Sequence, residues 1–226
     1  MILLGTIVNV VLIIVGGIIG ALTKRGIPKR FSDLIMCSIG LVTTVIGITF
    51  AIETQNILIV IASLVIGGIL GEWINIDAKL NQLGERVKGK IKGEQSNVGE
   101  GFVTATLLFC VGSMAIMGSL DSGIRGDHAI LYTKSVMDGI SALLFASSMG
   151  AGVVLAAVPV LLYQGAITLL ASALEPFLSA ALITEMSAVG GILLIGLGLS
   201  VLEIKKIKVA NLLPAIFLPV IIMTIM

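Results

Sequence analysis

Charge is scarce in this sequence. Among 226 residues there are 14 Lys or Arg and 13 Asp or Glu, 12% of the chain. Soluble domains carry about twice that share. Hydrophobic residues make up 57%, and no soluble domain of this size can cover so much apolar surface. The formal net charge is +1, so nothing suggests a nucleic-acid partner. Cysteine is nearly absent. Cys37 and Cys110 sit in apolar runs with no CxxC or Cys/His cluster, which reads as two buried inert thiols rather than a disulfide or metal ligands. The one histidine, His128, is placed near a surface. HExxH, GxSxG and the P-loop pattern are missing, so the signatures of zinc hydrolases, serine hydrolases and nucleotide hydrolases are missing too. No catalytic residue, resident metal or cofactor is expected.

What is present is a series of long apolar runs. A helix crosses the hydrocarbon core in about 20 residues, and eight candidate spans can be counted. They are Ile2 to Thr23, Asp33 to Ile52, Ile57 to Trp73, Phe102 to Ser119, His128 to Ser148, Gly152 to Leu174, Ala180 to Leu202 and Val209 to Met226. The fold class is therefore an all-α polytopic membrane protein of about eight transmembrane segments. The N-terminus begins almost at once as a helix with Lys24 and Arg25 behind it, and reads as a retained span rather than a cleaved signal. A polar stretch, 74–100, interrupts the series. Within it Ile76, Leu80, Leu83, Val87 and Ile91 recur at helical spacing among Lys79, Arg86, Lys88, Lys90 and Lys92. That suits an amphipathic helix on a membrane surface or a solvated connector. Residues 93–100 read as a link.

Basic residues fall in three groups: Lys24, Arg25, Lys29 and Arg30; the amphipathic stretch; and Lys205, Lys206 and Lys208. With eight crossings all three lie on one face. Basic loops face the cytoplasm, which puts both termini outside.

The chain also carries an internal likeness. Gly17 and Pro28 match Gly165 and Pro176 at an offset of 148, and Gly40 and Glu53 match Gly190 and Glu203 at 150. Spans one to three thus pair with spans six to eight. Five crossings separate the copies, so they enter from opposite sides, and their loops show reciprocal basic bias. Inverted repeats recur in secondary transporters; an old duplication kept for packing is the alternative. The sequential division is then 1–76 (first repeat), 77–100 (amphipathic helix and linker), 101–151 (inserted spans four and five) and 152–226 (second repeat).

The inserted pair holds the candidate substrate or ion site. Gly112, Ser113, Gly118 and Ser119 lie in span four, Asp121 and Asp127 in the connection, and Lys134, Asp138, Ser141, Ser147 and Ser148 in span five. Gln164 of span six adds a hydrogen-bonding group beside Tyr163, and Pro159 is expected to kink that span. Asp138 lies about 15 Å along span five, near mid-membrane. An ionised carboxylate there costs at least about 2.5–3.5 kcal/mol without a partner. Lys134, at i−4, is the obvious partner. The pair reads either as a functional charge site or as a self-neutralising structural one. "GSLDSGIRGD" at 118–127 is either a surface turn or a mid-membrane helix break, and "SSMGAG" at 147–152 is a second candidate break. Asn9, Glu72 and Glu185 are secondary candidates, Glu72 being interfacial beside Trp73. Gly16/Gly20 and Gly67/Gly71 are GxxxG pairs that could pack helices within one chain or between two copies.

The runs "CVGSMAIMGSLDSGIRGD", "LYTKSVMDGISALLFASSMGAGV" and "YQGAITLLA" resemble the bacterial family catalogued as domain of unknown function 554, the YdfK/YqgA-like integral membrane proteins. The resemblance covers the whole chain. It implies an inner-membrane protein of the kind labelled a transporter, and supplies neither a substrate nor site residues. The expected function is a secondary transporter of a small polar or anionic solute coupled to Na⁺ or H⁺. The alternatives are an ion channel, a non-transporting assembly protein, or an intramembrane hydrolase if Asp138 converges with Asp121 or Asp127.

Overall fold

A computed structural model of the chain describes residues 1–24, 29–79, 82, 98–111, 113–174 and 176–225. Among these the structure is helical throughout, without strands. The helices are α1 (Leu4–Lys24), α2 (Lys29–Ala51), α3 (Ile57–Ile74), α4 (Val98–Cys110), α5 (Ser113–Ile124), α6 (Ala129–Met149), α7 (Gly152–Leu155), α8 (Ala157–Leu169), α9 (Ala171–Leu174), α10 (Ala180–Val201), a 3₁₀ helix (Val209–Phe217) and α11 (Leu218–Ile225). Most of the expected amphipathic helix, from Leu80 through Ile91, and Gly112 lie outside the described residues.

Six helices are long and apolar enough to cross a membrane, at the places expected for spans one, two, three, five, six and seven. The other two expected spans are not single long α-helices. Span four is two helices, α4 and α5, bent by 58°. Span eight is the 3₁₀ helix followed by α11. A 3₁₀ helix rises about 2.0 Å per residue against 1.5 Å in an α-helix. Those 17 residues therefore reach roughly 30 Å, the thickness of a hydrocarbon core. Pro214 falls inside the 3₁₀ stretch and lacks the N–H that an α-helical turn would need there.

The first helix of span four ends at Cys110, ahead of the polar run that suggested a break. From Gly118 to Ile124 the chain stays helical, so of the two alternatives held for 118–127 the helix break is not the one formed there. The polar side chains are accommodated without unwinding. Ser119 donates back to the Ala115 carbonyl at 2.7 Å, Ser122 donates to the Ile2 carbonyl at 2.9 Å, and Gly118 lies against Ile130 and Leu131. The chain turns only at 125–128, where Gly126 takes φ 67°, a conformation that favours glycine. The second expected break is present: α6 ends at Met149, Gly150 adopts φ 86°, and α7 starts at Gly152. Pro159 stands in the first turn of α8, where its ring is tolerated, and the discontinuity comes just before it, at Ala156.

The chain forms two compact units that cut across the sequential division. The first comprises residues 1–35 and 82–177, the second 36–81 and 178–226. In the first, α1 and α6 run parallel in close contact. Gly5 lies against Leu131, Gly16 against the Gly139 carbonyl and Gly20 against the Leu143 carbonyl. A methyl group at either of the last two would strike backbone, so this GxxxG pair works inside the chain. The segment α7–α8 runs antiparallel to α1: Gly17 meets Val154, while Asn9 meets Gln164.

In the second unit, α3 packs on the 3₁₀ helix through Gly67 against Ala215 and Gly71 against the Asn211 carbonyl. The second GxxxG pair is thus also internal, and neither glycine pair is left free for a second copy. Gly47 lies 2.6 Å from the Gly191 carbonyl for an added Cβ, which closes α2 on α10. Two side chains set helix starts. Asn56 accepts from Leu58 N at 3.1 Å and Ser179 from Leu182 N at 3.2 Å, each satisfying an N–H that has no partner within its helix.

Candidate functional site

The polar centre of the first unit lies on the inward face of α6. Val136, Met137, Ile140 and Leu144 are exposed on the other face, where lipid would cover them. Lys134 and Asp138, one turn apart, are each 6% exposed. The Lys134 ammonium reaches both carboxylate oxygens, at 2.9 Å to Oδ1 and 2.8 Å to Oδ2. Asn9 of α1 donates from Nδ2 to Asp138 Oδ2 at 3.0 Å and to Gln164 Oε1 of α8 at 3.2 Å. Asn9 and Gln164 are fully buried. Four residues on three helices therefore form one connected network around a buried ion pair.

The network is neutral overall but not saturated. Asn9 Oδ1 and Gln164 Nε2 have no hydrogen-bond partner among the described residues, and neither do the hydroxyls of Thr6 and Thr168. Buried polar atoms are almost always paired with protein, water or a ligand. Thr6 lies three residues from Asn9 on α1, and Thr168 four from Gln164 on α8; each pair shares a helix face. The Asn9–Gln164 bond pins those faces together. Because the helices are antiparallel, both threonines lie toward the same end.

Of the residues expected at a site, Lys134, Asp138 and Gln164 come together here. Ser141 is half-buried one turn beyond Asp138. Ser147 is satisfied locally by the Leu144 carbonyl at 2.7 Å, and Ser148 is buried with its hydroxyl unpartnered. Gly118 and Ser119 serve helix packing, as described above. Ser113 begins α5. Asp121 lies in the last turn of α5, with Arg125 3.5 Å away, and Asp127 lies in the turn, where it accepts from Ala129 N at 2.9 Å at the start of α6. Asp127 is exposed and eleven residues, or about 16 Å of helix, from Asp138. His128 Nδ1 shares a 2.7 Å hydrogen bond with the Ser122 hydroxyl. Asn9 was only a secondary candidate from the sequence, yet it joins the other three. The available signal was an amide alone on an otherwise apolar helix.

The second unit holds its polar groups differently. Glu185 of α10, 2% exposed, accepts from Thr54 Oγ1 at 2.6 Å, Gln55 N at 2.7 Å and Asn56 N at 3.0 Å. It fills the anion position that the start of α3 offers. Glu72 binds Lys208 at 2.9 Å and Asn211 at 2.5 Å, and Asn211 in turn accepts from Asp77 N at 2.7 Å. The Glu72 carboxylate beside it raises the pKa of exposed Lys208 through the hydrogen bond first and its charge second. Among the described residues no cluster of His, Cys, Asp and Glu could hold a metal ion.

A profile of the family described as "Protein of unknown function (DUF554)" matches residues 4–224. The chain belongs to that family. It is 40% identical over 221 residues to the "Uncharacterized membrane protein YdfK" of Bacillus subtilis, covering 95% of this chain and 93% of the relative. It is 28% identical over 220 residues to the "Uncharacterized protein YqgA" of Escherichia coli K12, covering 95% and 94%. No solved structure matches the chain. A multi-pass membrane protein of the DUF554 family is thus the identity on which the functional reading builds.

Proposed function

We propose that this DUF554 protein is a secondary transporter of a small polar or anionic solute coupled to Na⁺ or H⁺, with the Lys134–Asp138–Asn9–Gln164 network as its site. The observation that carries the reading is a buried ion pair joined to two amides whose remaining donor and acceptor are unpartnered. A purely structural pair in lipid gains nothing from such loose ends; a site that exchanges partners needs them.

Element lengths support the inverted repeat. Shifted by 150, α2 (29–51) becomes 179–201, against 180–201 for α10, and α3 (57–74) becomes 207–224, against 209–225 for the last two helices. Shifted by 148, α1 (4–24) becomes 152–172, against 152–174 for α7–α9. Oppositely oriented copies that exchange conformations give alternating access. The proposed setting is the bacterial inner membrane, with basic loops in the cytoplasm and both termini outside.

The direct test is uptake of labelled small anions by liposomes holding the purified protein, driven by a Na⁺ or pH gradient. Wild type should accumulate solute, and Asp138→Asn should lose gradient-driven accumulation. Equal uptake by the two would remove Asp138 from the mechanism.

A further inference from the structure

The geometry points to proton coupling with an oxyanion as the co-substrate: protonation of Asp138 frees Lys134 to bind the anion beside Gln164, Thr6 and Thr168. This rests on the transporter reading and narrows it to one ion and one ligand class.

The cation position at Asp138 is already filled. Every contact to the carboxylate comes from an N–H donor, two from Lys134 and one from Asn9. A Na⁺ ion needs oxygen ligands, and here it would sit beside the ammonium. Two like charges about 4 Å apart repel by roughly 4 kcal/mol even at an effective dielectric of 20. A proton has no such difficulty, because it needs only a lone pair of the carboxylate.

The ligand side is rich in donors. Lys134 has three N–H bonds and spends two on Asp138. The Gln164 amide NH₂ is unpartnered, and so are the hydroxyls of Thr6 and Thr168. Helical threonines elsewhere in this chain bond back to the carbonyl four residues earlier, as Thr23, Thr49, Thr133, Thr184 and Thr224 do. Thr6 and Thr168 do not. Thr43, Thr104 and Thr106 are unpartnered too, but only Thr6 and Thr168 stand one turn from the Asn9–Gln164 bond. Asn9 Oδ1, the unpartnered acceptor, suits a ligand that also carries a hydroxyl or a proton.

Charge balance completes the case. In the resting state Lys134⁺ and Asp138⁻ cancel. When a proton enters, an O–H bond forms on Asp138 and the carboxylate becomes a neutral acid. The anion replaces it as the counter-charge of Lys134⁺. The site is neutral before and after, as a low-dielectric interior requires, and one proton moves with one negative charge. The other titratable groups facing the pair are few. Cys110, at the end of α4, lies within electrostatic range of both charges, and Tyr163 of α8 within range of Cys110. Over the facing stretch α1 carries no ionisable residue, and α8 carries none besides Tyr163.

The test is the thermal stability of the full-length protein in detergent, with acetate, lactate and inorganic phosphate as probes. Each is added at matched ionic strength at pH 5.5 and 7.5, with sodium and choline as alternative cations. At least one oxyanion should raise the midpoint at pH 5.5, its apparent affinity weakening toward tenfold per pH unit above the titration of Asp138. Asp138→Asn, which mimics the protonated acid, should bind that anion equally well at both pH values. This gain cannot come from misfolding. If Asp138→Asn fails to fold, Gln164→Leu carries the test by losing most of the pH 5.5 response. Protection by sodium over choline that disappears in Asp138→Asn would overturn proton coupling and leave the transporter reading standing. No protection by any of the three anions at either pH would overturn the oxyanion site. Anion binding without gradient-driven uptake in liposomes would instead remove the transporter reading and keep the site.

Discussion

The two units treat a buried carboxylate in opposite ways. Glu185, in the second unit, meets two backbone N–H groups and the Thr54 hydroxyl at the start of α3. Its partners are fixed by the chain, and it holds the α2–α3 loop on α10. Asp138, in the first unit, meets a flexible lysine and an amide, in a network with unpartnered donors and acceptors. A carboxylate wholly committed to backbone N–H groups is structural cement, because any change of partner would strand them. A carboxylate paired with a side chain that has somewhere else to go can take part in a cycle.

That contrast can be broken or sharpened by substitution. The largest effect is expected from Lys134→Ala, which leaves Asp138 buried and uncompensated. Loss of one partner of a buried pair costs about 3–5 kcal/mol, seen as a large fall in thermal midpoint and in yield of folded protein. The double substitution Lys134→Met with Asp138→Leu should recover most of that stability, since apolar replacement of a buried pair is often neutral. It should transport nothing. A smaller loss, about 1–3 kcal/mol for the N–H groups left unsatisfied, is expected from Glu185→Ala. Uptake per folded molecule should survive, and a parallel collapse of transport would blur the distinction between the units. Gly16→Ala should cost a comparable or smaller amount, about 1–3 kcal/mol of overpacking, by pushing a methyl group into the Gly139 carbonyl. Its readout is again the thermal midpoint.

The smallest effect belongs to the exposed Lys208–Glu72 pair. A lysine with a raised pKa contributes stability that is fully present below its unfolded value, about 10.4. That contribution is lost only as pH rises through the higher folded value. Lys208→Ala should therefore shift the midpoint less than any change above, and equally at pH 6 and pH 9. A shift that differs between those two pH values would show that another group titrates with the pair.

Much of this arrangement was legible in the sequence, for physical reasons that differ by residue. Six spans follow from apolar length alone. The end of α6 follows from Gly150 and Gly152, and the Lys134–Asp138 pair from i, i+4 spacing in an apolar helix. The location of the break in span four was not legible: the helix ends at Cys110, while the glycine- and aspartate-rich run after it stays helical as far as Ile124, with tertiary contacts to Ile2, Leu131 and Thr168. The 3₁₀ stretch at Val209–Phe217 has an apolar composition indistinguishable from an α-helix, apart from Pro214. Asn9 meets Asp138 across 129 positions, and no local pattern encodes such a partner. Glu185 stood out only as a secondary candidate, and its partners were not legible for the same reason, since they are a threonine hydroxyl and backbone groups of a loop about 130 positions away.

The central claim is that the Asp138 network works and the Glu185 network only holds. Gradient-driven uptake by liposomes carrying the Lys134→Met/Asp138→Leu protein tests it most directly, beside wild type and Glu185→Ala. The account predicts a well-folded double variant with uptake at the level of empty liposomes, and near-normal uptake per folded molecule for Glu185→Ala. Wild-type uptake by the double variant would contradict it.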